Sequence, residues 1–150
     1  MTISRATKED LPAILNLQYR AYQSEAVLLQ NFSIPPLKQT LADLAAEFER
    51  GIVLKAEEFG KIIGSVRAYC EGGTARIGKL IVDPAFQGRG IGTALLSAVE
   101  QACSAPRYEL FTSSKSEKNI RLYERAGYIR FAEKEAGAGI TFVYLEKPSA

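Results

Sequence analysis

The run Gly78-Lys-Leu-Ile-Val-Asp-Pro-Ala-Phe-Gln-Gly-Arg-Gly-Ile-Gly-Thr93 most constrains what this chain can fold into. Its apolar stretch reads as a strand that Asp83-Pro84 ends. Three alternating glycines follow, Gly88, Gly90 and Gly92, and an amphipathic stretch then carries Ile91, Ala94, Leu95, Ala98, Val99 and Ala102 on one side. A strand must therefore pass through a tight turn into a helix over Gly90 to about Ser104. The first N–H groups of a helix have no partner inside it, and the helix dipole adds positive potential there. Glycine lets the main chain turn sharply and lets an anion approach without meeting a Cβ. The turn has the makings of a phosphate site. A plain strand-to-helix connection, with glycines there for packing, fits the same residues.

Two nucleotide-binding patterns fail on spacing. A P-loop requires Gly-Lys followed by Ser or Thr, whereas Gly60-Lys61 and Gly78-Lys79 are followed by Ile62 and Leu80. A dinucleotide fingerprint requires Gly-x-Gly-x-x-Gly and opens the first strand–helix unit, whereas this turn is Gly-x-Gly-x-Gly and comes late.

The rest of the chain supplies the other elements. Ile3 to Ala6 reads as a strand, and a Thr7-x-x-Asp10 capping pattern opens a helix with Leu11, Ile14, Leu15, Tyr19 and Tyr22 on one stripe. Ser24 to Pro36 reads as irregular, and a second helix runs from about Leu37 to Arg50, where Gly51 stops it. Ile52 to Ala56, Lys61 to Cys70 and Thr74 to Val82 are strands joined by turns at Glu58-Phe59-Gly60 and Glu71-Gly72-Gly73. Tyr108 to Thr112 is a strand, and Ser114-x-x-Glu117 caps a helix ending at Gly127. Tyr128 to Lys134 and Ile140 to Lys147 are the last two strands. The order β-α-α-β-β-β-α-β-α-β-β makes residues 1–150 one mixed α/β domain with one core and no linker.

Composition narrows the chemistry. Hydrophobic residues make up 47% and charged residues 24%, the balance of a globular protein. A net charge of +2 gives no field to recruit nucleic acid or an anionic membrane. No apolar run approaches the roughly 18 residues of a membrane span, and Met1 to Asp10 lacks the apolar core of a signal peptide. Cys70 and Cys103 lie far apart in sequence and read as two buried free thiols in a reducing cytoplasm. The chain has no histidine, which excludes Ser-His-Asp and Cys-His mechanisms and His-ligated metals; no metal is expected. A general base must be a carboxylate, a tyrosine, a perturbed lysine, a terminus or water.

Gln87-Gly88-Arg89-Gly90-Ile91-Gly92 resembles the [Gln/Arg]-x-x-Gly-x-[Gly/Ala] signature of the GNAT superfamily of acyl-CoA-dependent N-acetyltransferases. Leu80 to Pro84 looks like that family's fourth strand, and Asn119-Ile-Arg-Leu-Tyr123-Glu-Arg-Ala-Gly127-Tyr128 like its Asn–Tyr helix. The element order is also the family's, so the resemblance covers essentially the whole chain. It implies a mostly antiparallel central sheet flanked by helices, with a splayed strand pair where acetyl-CoA binds as co-substrate. By that resemblance, amides from Gln87, Gly88, Arg89, Gly90, Ile91, Gly92 and Thr93 hold the CoA pyrophosphate, and Leu80, Ile81 and Val82 pair with the pantetheine arm. An N–H near Ile81 or Val82 stabilises the oxyanion, Asn119 contacts pantetheine, and Tyr123 is the general acid. Asn119 and Tyr123, at i and i+4, share one helix face.

The acceptor is expected to be a primary amine, on a small molecule or a protein. Tyr22, Glu25, Phe32 and Ile34 are candidates for its pocket, and their aromatic and acidic character suits a cationic amine. Glu25 and Glu71 are candidate bases, with a water chain as the substitute, because Arg76-Ile77-Gly78 carries no glutamate. Arg89, Lys115 and Lys118 are candidate phosphate contacts. Proteins of this type often dimerise through the closing strands. A non-catalytic CoA-binding regulatory module on the same fold is the alternative.

Overall fold

The computed structural model describes residues 1–149. β1 (Thr2–Arg5) passes through a 3-10 turn at Lys8–Asp10 into α1 (Leu11–Ala21). The Asp10 carboxylate accepts the Thr7 N–H at 2.7 Å and so fixes the start of the helix. Where the sequence suggests irregular chain, α2 (Gln23–Leu29) and a single turn, α3 (Pro35–Lys38), form instead. α2 leaves no stripe to read, because it buries Ala26 and exposes Val27 and Leu28. The helix expected from Leu37 begins later, as α4 (Leu41–Arg50). Gln39 is extended, and the Thr40 and Asp43 side chains each bond the other's backbone N–H, so the cap overrides the apolar period.

β2 (Ile52–Glu58), β3 (Lys61–Glu71) and β4 (Thr74–Val82) form an antiparallel meander. Both turns place their two central residues at positive φ: Phe59 and Gly60 at 54° and 73°, Gly72 and Gly73 at 57° and 79°. That is the backbone of two-residue hairpin turns. α5 (Ile91–Ala102), β5 (Arg107–Ser113), α6 (Glu117–Arg125), β6 (Ile129–Glu135) and β7 (Thr141–Pro148) complete the chain. Ser116, rather than Ser114, precedes α6, and the Ser114 N–H bonds Thr141 instead. Among the described residues no helix is long and apolar enough to cross a membrane.

The seven strands form one sheet in the order β1-β2-β3-β4-β5-β7-β6, antiparallel except for β4 against β5. Apolar residues divide between its faces rather than filling a single core. Leu95, Leu96, Val99, Ile120 and Tyr123 of α5 and α6 pack on Leu54, Val66, Leu110 and Leu145 of one face. Leu11, Ile14, Leu15 and Leu44 of α1 and α4 pack on Val53 of the other. α5 lies close on β3 because Gly64 has no side chain: a Cβ there would sit 2.9 Å from Leu95 Cδ1 and 3.1 Å from the Ile81 carbonyl oxygen. Truncating fully buried Leu95 to alanine would cost about 2–5 kcal/mol.

The expectation of two buried thiols is corrected. Cys103, at the end of α5, is buried, but Cys70 on β3 is exposed. Burial pushes the Cys103 thiol up to about 11, and the neighbouring Cys70 thiol adds to the shift. Cysteines distant in sequence thus meet in space.

Candidate active site in an opening of the sheet

The sheet is open along one seam. β4 pairs with β5 through three residue pairs, Thr74–Arg107, Ala75–Tyr108 and Arg76–Glu109. Beyond them β4 stays with β3 as far as Val82, and β5 stays with β7 as far as Ser113. The cause lies in β4. Its register with β3 shifts between Ser65 and Arg67, and there Lys79 takes a positive φ of 51°. Such a bulge bends the strand and increases its twist away from the neighbour. From Ile77 to Val82 the β5-facing peptide groups of β4 therefore have no strand partner.

The glycine turn closes one side of the opening. Gly88 and Gly90 sit at φ 80° and 79°, which a side chain would strain. Gly92 has a different role: a Cβ there would touch Leu122 and Val82 at 3.7 and 3.8 Å. The N–H groups of Gly88 to Thr93 have no acceptor among the described residues, and the first closing bond runs from the Ala94 N–H to the Gly90 carbonyl. Six free donors around a helix start fit an anionic diphosphate. Lys118 reaches this turn, donating to Gln87 Oε1 at 3.2 Å. Arg89 lies over the Phe86 ring at 5.0 Å and 3.6 Å from Glu58, and Lys115 is exposed on the loop before α6.

α6 flanks the opening. Asn119 Nδ2 lies 3.4 Å from Thr112 Oγ1, near the end of β5. Tyr123 is buried, its ring 6.2 Å from that of Tyr128, and its hydroxyl has no hydrogen-bond partner among the described residues. Burial pushes its phenol up, and Tyr22 and Glu25 reinforce the shift. Burial likewise pushes Tyr22 up to about 12, against the pull of Arg67 and with help from Glu25 and Glu47. Ser116 donates to the Glu25 carboxylate, 2.7 Å from each oxygen, so α2 is clasped to the start of α6.

Tyr22, Glu25 and Tyr123 are thus brought together. The other acceptor candidates lie elsewhere. Phe32 is 60% exposed between α2 and α3, while Ile34 is buried where α3 begins. Glu71 is exposed at the β3–β4 turn, 3.5 Å from Arg76.

The face opposite α5 holds a feature that the sequence reading missed. An open cavity of about 380 Å³ runs beside the seam, with Ile77, Gly78 and Lys79 on one wall and Glu109, Leu110 and Phe111 on the other. Its floor includes Arg67, which is 5% exposed. That guanidinium donates to Gln39 at 3.0 Å, to Glu47 at 3.2 Å and to Gln18, leaving Nε without a partner. Its one signal in the sequence is weak. Arg67 and Tyr69, Arg76 and Gly78, and Glu109 and Phe111 are pairs two apart in apolar strands, the spacing of one sheet face.

The family model of the acetyltransferase (GNAT) domain matches residues 20–148. The S-(2-succino)cysteine N-acetyltransferase of Bacillus subtilis (strain 168) is 29% identical, across 95% of this chain and 92% of its own length. The ribosomal-protein-S18-alanine N-acetyltransferase from Escherichia coli superposes with a TM-score of 0.80 at 21% identity, over 98% of this chain and 92% of that one. The PaiA N-acetyltransferase from Thermoplasma acidophilum, solved in complex with coenzyme A, does so at 0.81 and 18%, over 99% and 98%. The solved structures bear on the fold alone. The matched family model spans both the glycine turn and the Asn119–Tyr123 helix, and on that match the chain belongs to the GNAT family of N-acetyltransferases.

Proposed function

We propose that this protein transfers an acetyl group from acetyl-CoA to a primary amine by direct attack within the opening between β4 and β5. The observation that carries the reading is the opening itself, with free backbone donors at one approach and a polar cavity at the other. Diphosphate oxygens would take the N–H groups from Gly88 to Thr93. The pantetheine amides would pair with the unpartnered edge of β4 at Leu80, Ile81 and Val82, beside Asn119. The thioester would then lie at the seam, with the amine coming from the cavity.

The amine nitrogen forms a bond to the thioester carbonyl carbon, and the carbonyl oxygen takes up negative charge. A β4 N–H near Ile81 or Val82 would stabilise it. Collapse breaks the carbon–sulfur bond, and the thiolate, of pKa about 8.5 as a free thiol, takes a proton from the Tyr123 hydroxyl. Burial keeps that phenol protonated, so the donor is in its working form at neutral pH. The amine's own proton passes to water in the cavity, and a proton from water restores the Tyr123 hydroxyl, so the turnover is proton-neutral. Glu47 and Glu109 are weak candidates as base, because both are engaged in ion pairs. Much of the rate would come from holding the two substrates together. Two adjacent free thiols, Cys70 and Cys103, fit a reducing cytoplasm.

Thermal unfolding with acetyl-CoA, CoA, ATP and NAD in parallel tests the reading. Ligand at about 100 times its Kd stabilises by about 2.7 kcal/mol, which should raise the midpoint by roughly 5 °C or more at this size. Shifts with acetyl-CoA and CoA alone are expected. A shift with ATP or NAD in their place, or none with CoA, would sink the reading.

A further inference from the structure

The cavity beside the seam has a marked charge imbalance. Arg50, Arg67, Arg76, Lys79 and Lys134 line it, against two carboxylates, Glu47 and Glu109. Both carboxylates are already engaged. Glu47 holds Arg67 at 3.2 Å, while Glu109 holds Arg76 at 2.5 Å and Arg107 at 2.8 Å. Arg50, Lys79 and Lys134 have no carboxylate partner among the described residues. Arg50 rests over the Tyr69 ring at 4.5 Å and Lys134 over Tyr144 at 4.6 Å. Lys79 has no such contact. It is half-buried on the bulge that opens the sheet, and it lines the cavity.

An unpaired cation in a partly dry pocket is costly, and a bound anion relieves that cost. Arg67 also lines the cavity; its side chain is 6% exposed and its Nε, itself buried, has no acceptor. Nearly all such buried donors are paired in folded proteins. The pocket therefore offers positive charge without a matching carboxylate.

We infer that the acceptor amine also carries a carboxylate, which the cavity cations hold, with Lys79 as the anchor nearest the seam. This rests on the transferase reading above and narrows its substrate class to amino acids and other carboxylated amines. An α-amino acid carries both groups on one carbon. Anchoring its carboxylate at Lys79 points its amine into the opening, and a polar or acidic side chain can extend toward Arg50 and Lys134. Diamines and polyamines lack the carboxylate and meet repulsion instead. The inference departs from the cationic acceptor suggested by Tyr22 and Glu25 in the sequence.

The burial of Lys79 supports the same direction: desolvation pulls its ammonium below the ordinary range, Glu47 opposes this and Arg67 adds to it. A carboxylate placed there would favour the charged form and offset that desolvation.

Two arms on the full chain test the inference. In the first, malonate and propane-1,3-diamine are titrated at matched ionic strength while thermal unfolding is followed. Malonate should raise the midpoint and the diamine should not. Lys79→Met should weaken malonate about tenfold or more, the loss of one charge-assisted contact, while keeping the shift with acetyl-CoA. If that variant does not fold, Lys134→Met, at a more exposed lining residue, should show a smaller loss in the same direction. In the second arm, CoA release is measured with matched amines, cysteine against cysteamine and lysine against cadaverine. The carboxylated member should win in kcat/KM by about tenfold or more. Equal or greater stabilisation by the diamine, or equal turnover of the decarboxylated amines, overturns the inference and leaves the transferase intact. Malonate binding without any shift from acetyl-CoA or CoA overturns the transferase reading, and the acceptor inference with it, and leaves only an anion site in the cavity.

Discussion

The two approaches to the opening between β4 and β5 are built from different materials. The glycine-turn side is made of backbone: free N–H groups from Gly88 to Thr93, two residues at positive φ, and one helix start. The cavity side is made of side chains delivered by α4, β3, β4, β5, β6 and β7. A backbone site is general, because any diphosphate meets the same row of donors. A side-chain site is particular, because its charge and shape choose the partner. The division suits a reaction with one fixed donor and one selected acceptor.

The largest expected effect lies where the sides meet. Tyr123→Phe should lower kcat by about 10²–10⁴, the usual worth of a positioned acid. Its unfolding midpoint should stay near that of wild type, since the hydroxyl has no partner to lose. The phenol is held above its ordinary value of about 10, so it stays protonated as pH rises toward that value. Loss of kcat between about pH 8 and 9, absent in Tyr123→Phe, would contradict that upward shift of the phenol.

The next effect is on stability and belongs to the cavity side. Glu47→Gln leaves the buried Arg67 charge without its counter-ion, and urea unfolding should show a loss of about 2–3 kcal/mol. That is less than for full burial, because the Glu47 side chain is 23% exposed.

Gly90→Ala and Lys79→Met should then separate the two approaches. An alanine at φ 79° costs about 1–2 kcal/mol, and it disturbs the donors before α5. Gly90→Ala should raise KM for acetyl-CoA and leave KM for the amine. Lys79→Met should do the opposite. A single variant that moved both constants equally would erase the distinction. Smallest of all, Lys118→Ala should raise KM for acetyl-CoA by less than about threefold, and salt should mask the change.

The same division explains what was legible in the sequence. The glycine turn, the two hairpins and Asn119 with Tyr123 are local patterns, where neighbours in sequence are neighbours in space, and the structure has them where the pattern suggests. Local patterns failed where a stronger signal overrode them. The Thr40–Asp43 cap moved the start of α4 past Leu37; at α6 the override is long-range, for the helix begins after Ser116, whose hydroxyl bonds Glu25 of α2 rather than capping it. α2 was invisible because its anchor is one small residue, Ala26. The cavity was invisible for another reason. Lys79 and Lys134 lie 55 positions apart in the chain, and no spacing rule joins a bulge in β4 to a residue in β6. Cys70 and Cys103 met unforeseen in the same way. Folding assembles such groups, so their shared charge can be counted only once the sheet is formed.

A crystal structure of the protein with coenzyme A bound tests the opposed approaches most directly. The arrangement predicts diphosphate oxygens within hydrogen-bond distance of the amides from Gly88 to Thr93, the pantetheine along β4 at Leu80 to Val82, and the thiol at the seam within reach of the Tyr123 hydroxyl. Coenzyme A lying in the cavity among Arg76, Lys79 and Lys134, or its thiol ending away from Tyr123, would contradict it.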